Sequence, residues 1–169
     1  NSNGQIKYYT TNLVRLEEKK IMRLSSYVAN LDNVIFGGEK IQQVANDLIN
    51  DSRSTLTAEQ HKALSGILLA KSGLRVLRGR AGTGKSYVLG KANSIASNSG
   101  INVIGLAPTH KAKLELGNKG YENVDTVKGM LFKLANGRFS LPKHSLIVVD
   151  EAGMVGNDDY KELLRVAAT

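Results

Sequence analysis

Cysteine is absent from the 169 residues, which excludes disulfide frameworks and thiolate metal sites and permits a reducing compartment. No apolar run approaches the roughly 20 residues a helix needs to cross a bilayer. Nor does the chain open with a basic and then apolar leader ending in a small-residue cleavage site. A cytoplasmic protein with no membrane partner is the expectation. Internal repeats and low-complexity tracts are also lacking. The first residue is Asn1 rather than Met, so the sequence reads as a piece of something longer.

Acidic side chains are scarce in one place. Residues 71–143 carry thirteen Lys and Arg against three acids, Glu115, Glu122 and Asp125, whereas residues 1–50 carry six against five. The whole chain has a net charge of +8, and most of that excess lies in the middle. Such a stretch attracts a polyanion, although a solvated basic surface explains the charge alone equally well. A hydrophobic fraction of 41% and a charged fraction of 22% are ordinary for a globular protein. This length suits one well-buried domain with a small appendage.

Leu13, Leu16, Ile21, Leu24, Val28 and Leu31 recur at helical spacing, with Glu17-Glu18-Lys19-Lys20 mostly opposite. After Gly37-Gly38, residues Ile41, Val44, Ala45, Leu48 and Ile49 mark a second helix, and polar Asp51-Ser52-Arg53-Ser54 reads as a linker. The expectation is a small helical N-terminal subdomain over 1–53, its apolar stripes buried against the rest or against further chain. From 54 the rhythm changes. A helix over about 58–70 leads to a short strand at 74–77, then a glycine-rich loop and a helix ending near Ser99-Gly100. A strand at 101–106 is broken by Pro108. Helical stretches follow at about 109–117 and 126–135, then an apolar strand at 146–149 and a helix at about 157–167. Alternation of apolar strands with helices predicts an α/β domain, a parallel sheet flanked by helices, over 54–169.

Gly79-Arg80-Ala81-Gly82-Thr83-Gly84-Lys85-Ser86 fits G-x-x-x-x-G-K-[ST] without a gap. Glycines let the backbone wrap around phosphates with its N–H groups inward, and the following helix adds its positive end. Lys85 is placed by the β- and γ-phosphates of ATP, and the Ser86 hydroxyl on Mg²⁺. The second half of such a site is an acid at a strand end, and Val148-Val149-Asp150-Glu151 supplies it. Asp150 is the expected Mg²⁺ holder, and Glu151 the carboxylate that polarises the attacking water. Thr57-Ala58-Glu59-Gln60 fits a capping box, while the Gln60 amide could instead pair with adenine; the local sequence favours the cap.

Taken in order, these pieces resemble the RecD-like branch of superfamily 1 helicases, which have a RecA-like P-loop NTPase fold. The likeness is greatest to the helicase region of Ti-type conjugative transfer relaxases. Leu56 to Gln60 looks like the adenine-sensing motif, and Gly79 to Ser86 like motif I. Gly105-Leu106-Ala107-Pro108-Thr109-His110-Lys111-Ala112 looks like motif Ia, and Asp125 to Leu131 like the T-x-H-x-hydrophobic element. Val148 to Val155 looks like motif II, and Tyr9-Thr10-Thr11 with the Leu16-Glu17 helix like the opening of the upstream helical region. The resemblance implies a first motor domain that binds ATP and Mg²⁺ and, in the intact protein, couples hydrolysis to translocation on single-stranded DNA. It moves Gln60 to an adenine contact that also caps. It implies that Thr109, His110, Lys111, Thr126 and Lys128 lie near a single-stranded DNA track. On residue identity alone, Thr109 and Thr126 are helix caps and the lysines are solvated.

Three departures bear on these roles: His110 stands where Gly is usual, Lys128 where His is usual, and Gly153 where Ser is usual. The family's later motifs and second RecA-like domain, with its arginine finger, do not occur in these residues. Nucleotide binding with little or no turnover is therefore the expectation for this piece. Partners implied are that second domain and, more remotely, the relaxosome and conjugation machinery. Nicking chemistry is not expected, because His61, His110 and His144 share no ligand spacing and Tyr8-Tyr9 read as packing residues. Two alternatives stay open: another P-loop ATPase of clamp-loader or initiator type, and a non-catalytic nucleic-acid-binding scaffold.

Overall fold

The computed structural model describes residues 11–31, 39, 43, 44, 47, 55–80 and 82–169. Most of the expected second N-terminal helix falls outside them, although Gln43, Val44 and Asp47 are helical. Tyr8-Tyr9, Gly37-Gly38, the 51–54 linker and Ala81 also fall outside.

Helix α1 spans Asn12–Ala29 and starts at Thr11, whose hydroxyl accepts from the Val14 N–H at 3.3 Å. Its apolar stripe is only partly used. Val28 is buried and Ile21 and Leu24 are half-buried, but Leu13 and Leu16 face solvent. The helix lies against the last helix, α6 (Asn157–Ala167), and its end is tied down where the Ser72 hydroxyl donates to the Ala29 carbonyl at 2.8 Å.

Helix α2 (Ala58–Leu69) begins with a complete capping box and buries Leu64 and Leu68. Helix α3 (Lys85–Asn98) buries Val88, Ala92, Asn93, Ile95 and Ala96 and stops at Ser99-Gly100. There Gly100 takes φ +80° and the Ile101 N–H reaches back to the Ala96 carbonyl, a left-handed stop that glycine adopts readily. Strand β1 (Asn102–Ala107), helix α4 (His110–Asn118), strand β2 (Asn123–Thr126), helix α5 (Val127–Ala135), strand β3 (Ser145–Val149) and α6 (Asn157–Ala167) complete the order.

The three strands form a parallel sheet in the order β2-β1-β3. Strand β1 is central and buried on both faces, which suits its apolar composition. Its residues alternate between two cores. Val103 and Ala107 join Leu64, Leu68, Val88, Ala92 and Leu116 on the side of α2, α3 and α4. Ile104 and Leu106 join Val127, Met130 and Leu163 on the side of α5 and α6. The expected sheet flanked by helices is present.

Two expectations need correction. The strand expected at 74–77 is an extended segment with no ladder, and Val76 is 79% exposed. A cavity of about 600 Å³ is lined by Leu74 and Arg75 together with Leu146 and Ile147 of β3. A short apolar segment becomes a strand only where a ladder forms, and composition alone does not supply one. Conversely, β2 is not among the expected strands, yet it pairs Thr126 with Ala107 and Asp125 with Leu106.

Candidate nucleotide-binding site

The described part of the loop before α3 turns on glycine. Gly84 is left-handed at φ +79°, and a Cβ there would sit 2.4 Å from the Gln60 Nε2. Only glycine satisfies both conditions. Helix α3 starts immediately after it without a side-chain cap, so its first N–H groups are not claimed by a capping side chain. The Lys85 ammonium donates to the Gly79 carbonyl at 2.8 Å and the Arg80 carbonyl at 2.7 Å. The Arg80 carbonyl also accepts from the Thr83 hydroxyl at 2.9 Å. The loop is thus folded around the lysine, with Gly79, Arg80, Gly82, Thr83 and Ser86 exposed at its surface. Of the expected loop residues, Ala81 lies outside the described set.

Gln60 joins α2 to this loop. Its Oε1 accepts from the Thr57 N–H at 3.0 Å, and its Nε2 donates to the Thr83 carbonyl at 3.2 Å. Both ends of the amide are therefore engaged, one in the cap and one as a clamp on the loop. Local sequence carries no sign of the clamp, because it joins residues 23 positions apart.

Parallel strands end at one edge of the sheet, where open α/β folds place their ligands. Here the register brings Ala107, Thr126 and the Asp150 that follows Val149 to that edge. The Asp150 N–H donates to the Leu106 carbonyl at 2.9 Å, continuing the β3 ladder by one step. One Asp150 oxygen accepts from the Glu151 N–H at 3.0 Å, and the other pairs with the Lys119 ammonium at 3.0 Å. Glu151 is held at φ +50°, ψ +38°, a region costly for a residue with a Cβ, and its side chain is exposed. Gly153, where the family favours Ser, has open space about it.

A hydroxyl from Ser86 and a carboxylate from Asp150 are oxygen donors of the kind Mg²⁺ takes, and Lys119 is paired with one oxygen of that carboxylate. The bridge between the two halves runs through the loop after α4. Asn93 of α3, though buried, donates from Nδ2 to the Gly120 carbonyl at 3.0 Å, and the Tyr121 hydroxyl donates to the Leu89 carbonyl at 3.3 Å. Burial, assisted by the nearby negative Asp150, pushes the Tyr121 phenol up to about 12.

The other motif residues also gather along the strand ends. Thr109 caps α4 by accepting from the Ala112 N–H at 3.2 Å, and His110 and Lys111 follow it on the exposed first turn. Thr126 caps α5 by accepting from the Gly129 N–H at 3.0 Å and is only 8% exposed, while Lys128 is open to solvent. Asp125 is the fixed point beneath them. Its burial opposes ionisation, but hydrogen bonds from Lys133, the Thr126 N–H and Lys113 outweigh that and hold its carboxyl below the ordinary carboxylate value. Among the described residues no group of three or more His, Asp or Glu side chains is placed to hold a metal, and no helix is long and apolar enough to cross a membrane.

A glycine-lined loop opening an uncapped helix, with an acid at the end of a parallel strand, defines a P-loop nucleotide-binding domain. A family profile described as an AAA domain matches residues 55–169, and the chain belongs to that family, in the RecD-like helicase branch its motif order indicates. Two curated relatives, both named multifunctional conjugation protein TraI, come from Escherichia coli (strain K12) and from Escherichia coli. Each is 27% identical over 137 residues, covering 76% of this chain. The chain spans only 8% of the length of those relatives. No solved structure matches it.

Proposed function

We propose that this chain is the ATP-binding first motor domain of a DNA helicase of conjugative plasmid transfer, coupling ATP hydrolysis to movement on single-stranded DNA in a longer protein. The observation that carries this reading is the gathering of Asp150, Thr109, Thr126 and their following residues at one sheet edge, bolted through Gly120 and Tyr121 to the helix that begins at Lys85.

In this reading Lys85 turns from the loop carbonyls to the β- and γ-phosphates, exchanging two neutral acceptors for charged ones. The N–H groups at the start of α3 hold phosphate oxygens. Ser86 and Asp150 would hold a magnesium ion, which would offset charge on the transferred phosphoryl group. Glu151 accepts a proton from the attacking water. Gln60 keeps the loop registered against α2, and an adenine contact requires its amide to leave the cap or the clamp. Thr109, His110, Lys111 and Lys128 present donors to DNA phosphates, and Thr126 orients α5 beneath them. An arginine from a second RecA-like domain completes the site; lack of such an arginine typically slows phosphoryl transfer ~10³–10⁵-fold, so little turnover is expected from these residues alone.

The reading is tested by fluorescence anisotropy of single-stranded DNA with and without a non-hydrolysable ATP analogue. A nucleotide-dependent change in affinity supports it. Nucleotide-insensitive DNA binding favours a scaffold, and the absence of any DNA binding contradicts a DNA motor. In the intact protein, Glu151→Gln should retain ATP binding and lose hydrolysis; normal turnover would remove Glu151 from the catalytic role.

A further inference from the structure

Lys119 is placed where a cation acts on the motif II acid. Its ammonium lies 3.0 Å from the Asp150 Oδ2, with the two side chains 32% and 26% exposed, so the pair is only partly screened by water. The backbone that carries it is fixed from three directions. The Lys119 N–H closes α4 by donating to the carbonyls of Glu115 and Leu116. The next residue, Gly120, turns at φ +88° and accepts from Asn93 of α3. Tyr121 then anchors to Leu89 of the same helix. A lysine on a free loop would sample many positions, whereas this one is held at a set reach from Asp150 by the helix that follows the phosphate loop.

The remaining oxygen of Asp150 is engaged by the Glu151 N–H. A divalent cation approaching Asp150 therefore meets a carboxylate whose outer oxygen is already neutralised. The other basic side chains bound to acids nearby, Lys113 and Lys133, are committed to Asp125 and leave Asp150 to Lys119.

We infer that Lys119 is a displaceable counter-ion for Asp150, one that opposes entry of a divalent cation until an anionic ligand arrives with it. The inference rests on Asp150 being the metal-holding acid of the proposed site. Asp150 and Ser86 alone provide one negative charge, too little to hold a divalent cation strongly against a tethered ammonium. A triphosphate adds further anionic oxygens, and Lys119 then gives way. Metal occupancy becomes conditional on nucleotide, and the nucleotide-free carboxylate stays charge-compensated.

The test is titration of the nucleotide-free chain with Mn²⁺, followed by the electron paramagnetic resonance of free Mn²⁺. Lys119→Met and Lys119→Gln should each tighten Mn²⁺ binding about three- to tenfold, as expected for removing a partly exposed ion-pair competitor. Lys119→Arg keeps a cation and should behave as wild type, which a merely structural role for the aliphatic stem would not predict for this series. Adding Asp150→Asn to Lys119→Met should abolish the gain. Unchanged Mn²⁺ affinity in both Lys119→Met and Lys119→Gln, with binding still lost on Asp150→Asn, would overturn the counter-ion role and leave the metal site standing. A gain that survives Asp150→Asn would overturn both, because the metal would then be bound elsewhere.

Discussion

Lys85 has two carbonyl partners in the loop, which a phosphate would replace with charged acceptors. Lys85→Ala should weaken ATP-analogue binding roughly tenfold to a hundredfold, the range of one or two charge-assisted hydrogen bonds, without lowering the melting temperature. Equilibrium binding with a fluorescent nucleotide, alongside a melting curve, checks both halves. Gly129 makes the opposite kind of prediction, a structural one. A Cβ there would lie 2.7 Å from the Asp125 Oδ1 and 2.8 Å from the Thr126 Oγ1, both held in place by their own bonds. Gly129→Ala should cost about 1–3 kcal/mol in denaturant unfolding, the usual toll of overpacking. Asp125 itself fixes a pH dependence. Its folded pKa is depressed below the ordinary value of 3.8, so its stabilisation is present above that value and is lost as pH falls through the lower folded one. Asp125→Asn should flatten the acid limb of a melting-temperature profile, and an unaltered limb would contradict the pairing with Lys113 and Lys133.

At the scale of elements, the central strand carries the fold because both its faces are covered. Leu106→Ala removes a fully buried side chain from the core shared with α5 and α6 and should cost about 2–5 kcal/mol by chemical denaturation. The loop from α4 to β2 depends on Tyr121. Its phenol is pushed up to about 12 from 10.0, so its contribution is complete below pH 10.0 and fades as pH rises toward 12. Elements whose sequence carries its own punctuation are legible from that sequence alone. Thr57 with Gln60, Pro108-Thr109 and Asn136-Gly137 mark ends by capping and turn chemistry, and the helices beside them fall within a residue or two of expectation. Elements that exist only through a neighbour are not. Strand β2 has one aliphatic side chain, Val124, among Asn123, Asp125 and Thr126, and nothing local distinguishes it from a loop until β1 pairs with it. Residues 74–77 are mostly apolar like a strand yet run extended outside the β2-β1-β3 ladder. The Lys119–Asp150 pair is hidden for the same reason, since 31 residues separate two side chains that only the sheet brings together.

The molecule as a whole combines a nucleotide loop, a strand-end acid and an exposed basic edge on one side of a small parallel sheet. Its net charge of +8 is weighted toward residues 71–143, the segment that holds the loop and the strand-end lysines. Any affinity for single-stranded DNA should therefore fall steeply with added salt, at a log–log slope of about −0.7 for each phosphate neutralised. A flat response would contradict contacts dominated by phosphate. All of these expectations depend on the loop from Gly79 to Ser86 receiving a triphosphate, and isothermal calorimetry of the folded chain in millimolar Mg²⁺ tests that most directly. ATP should give saturable heat at one site per chain that is lost in Lys85→Ala; no heat from any nucleotide, or equal heat from the variant, would contradict it.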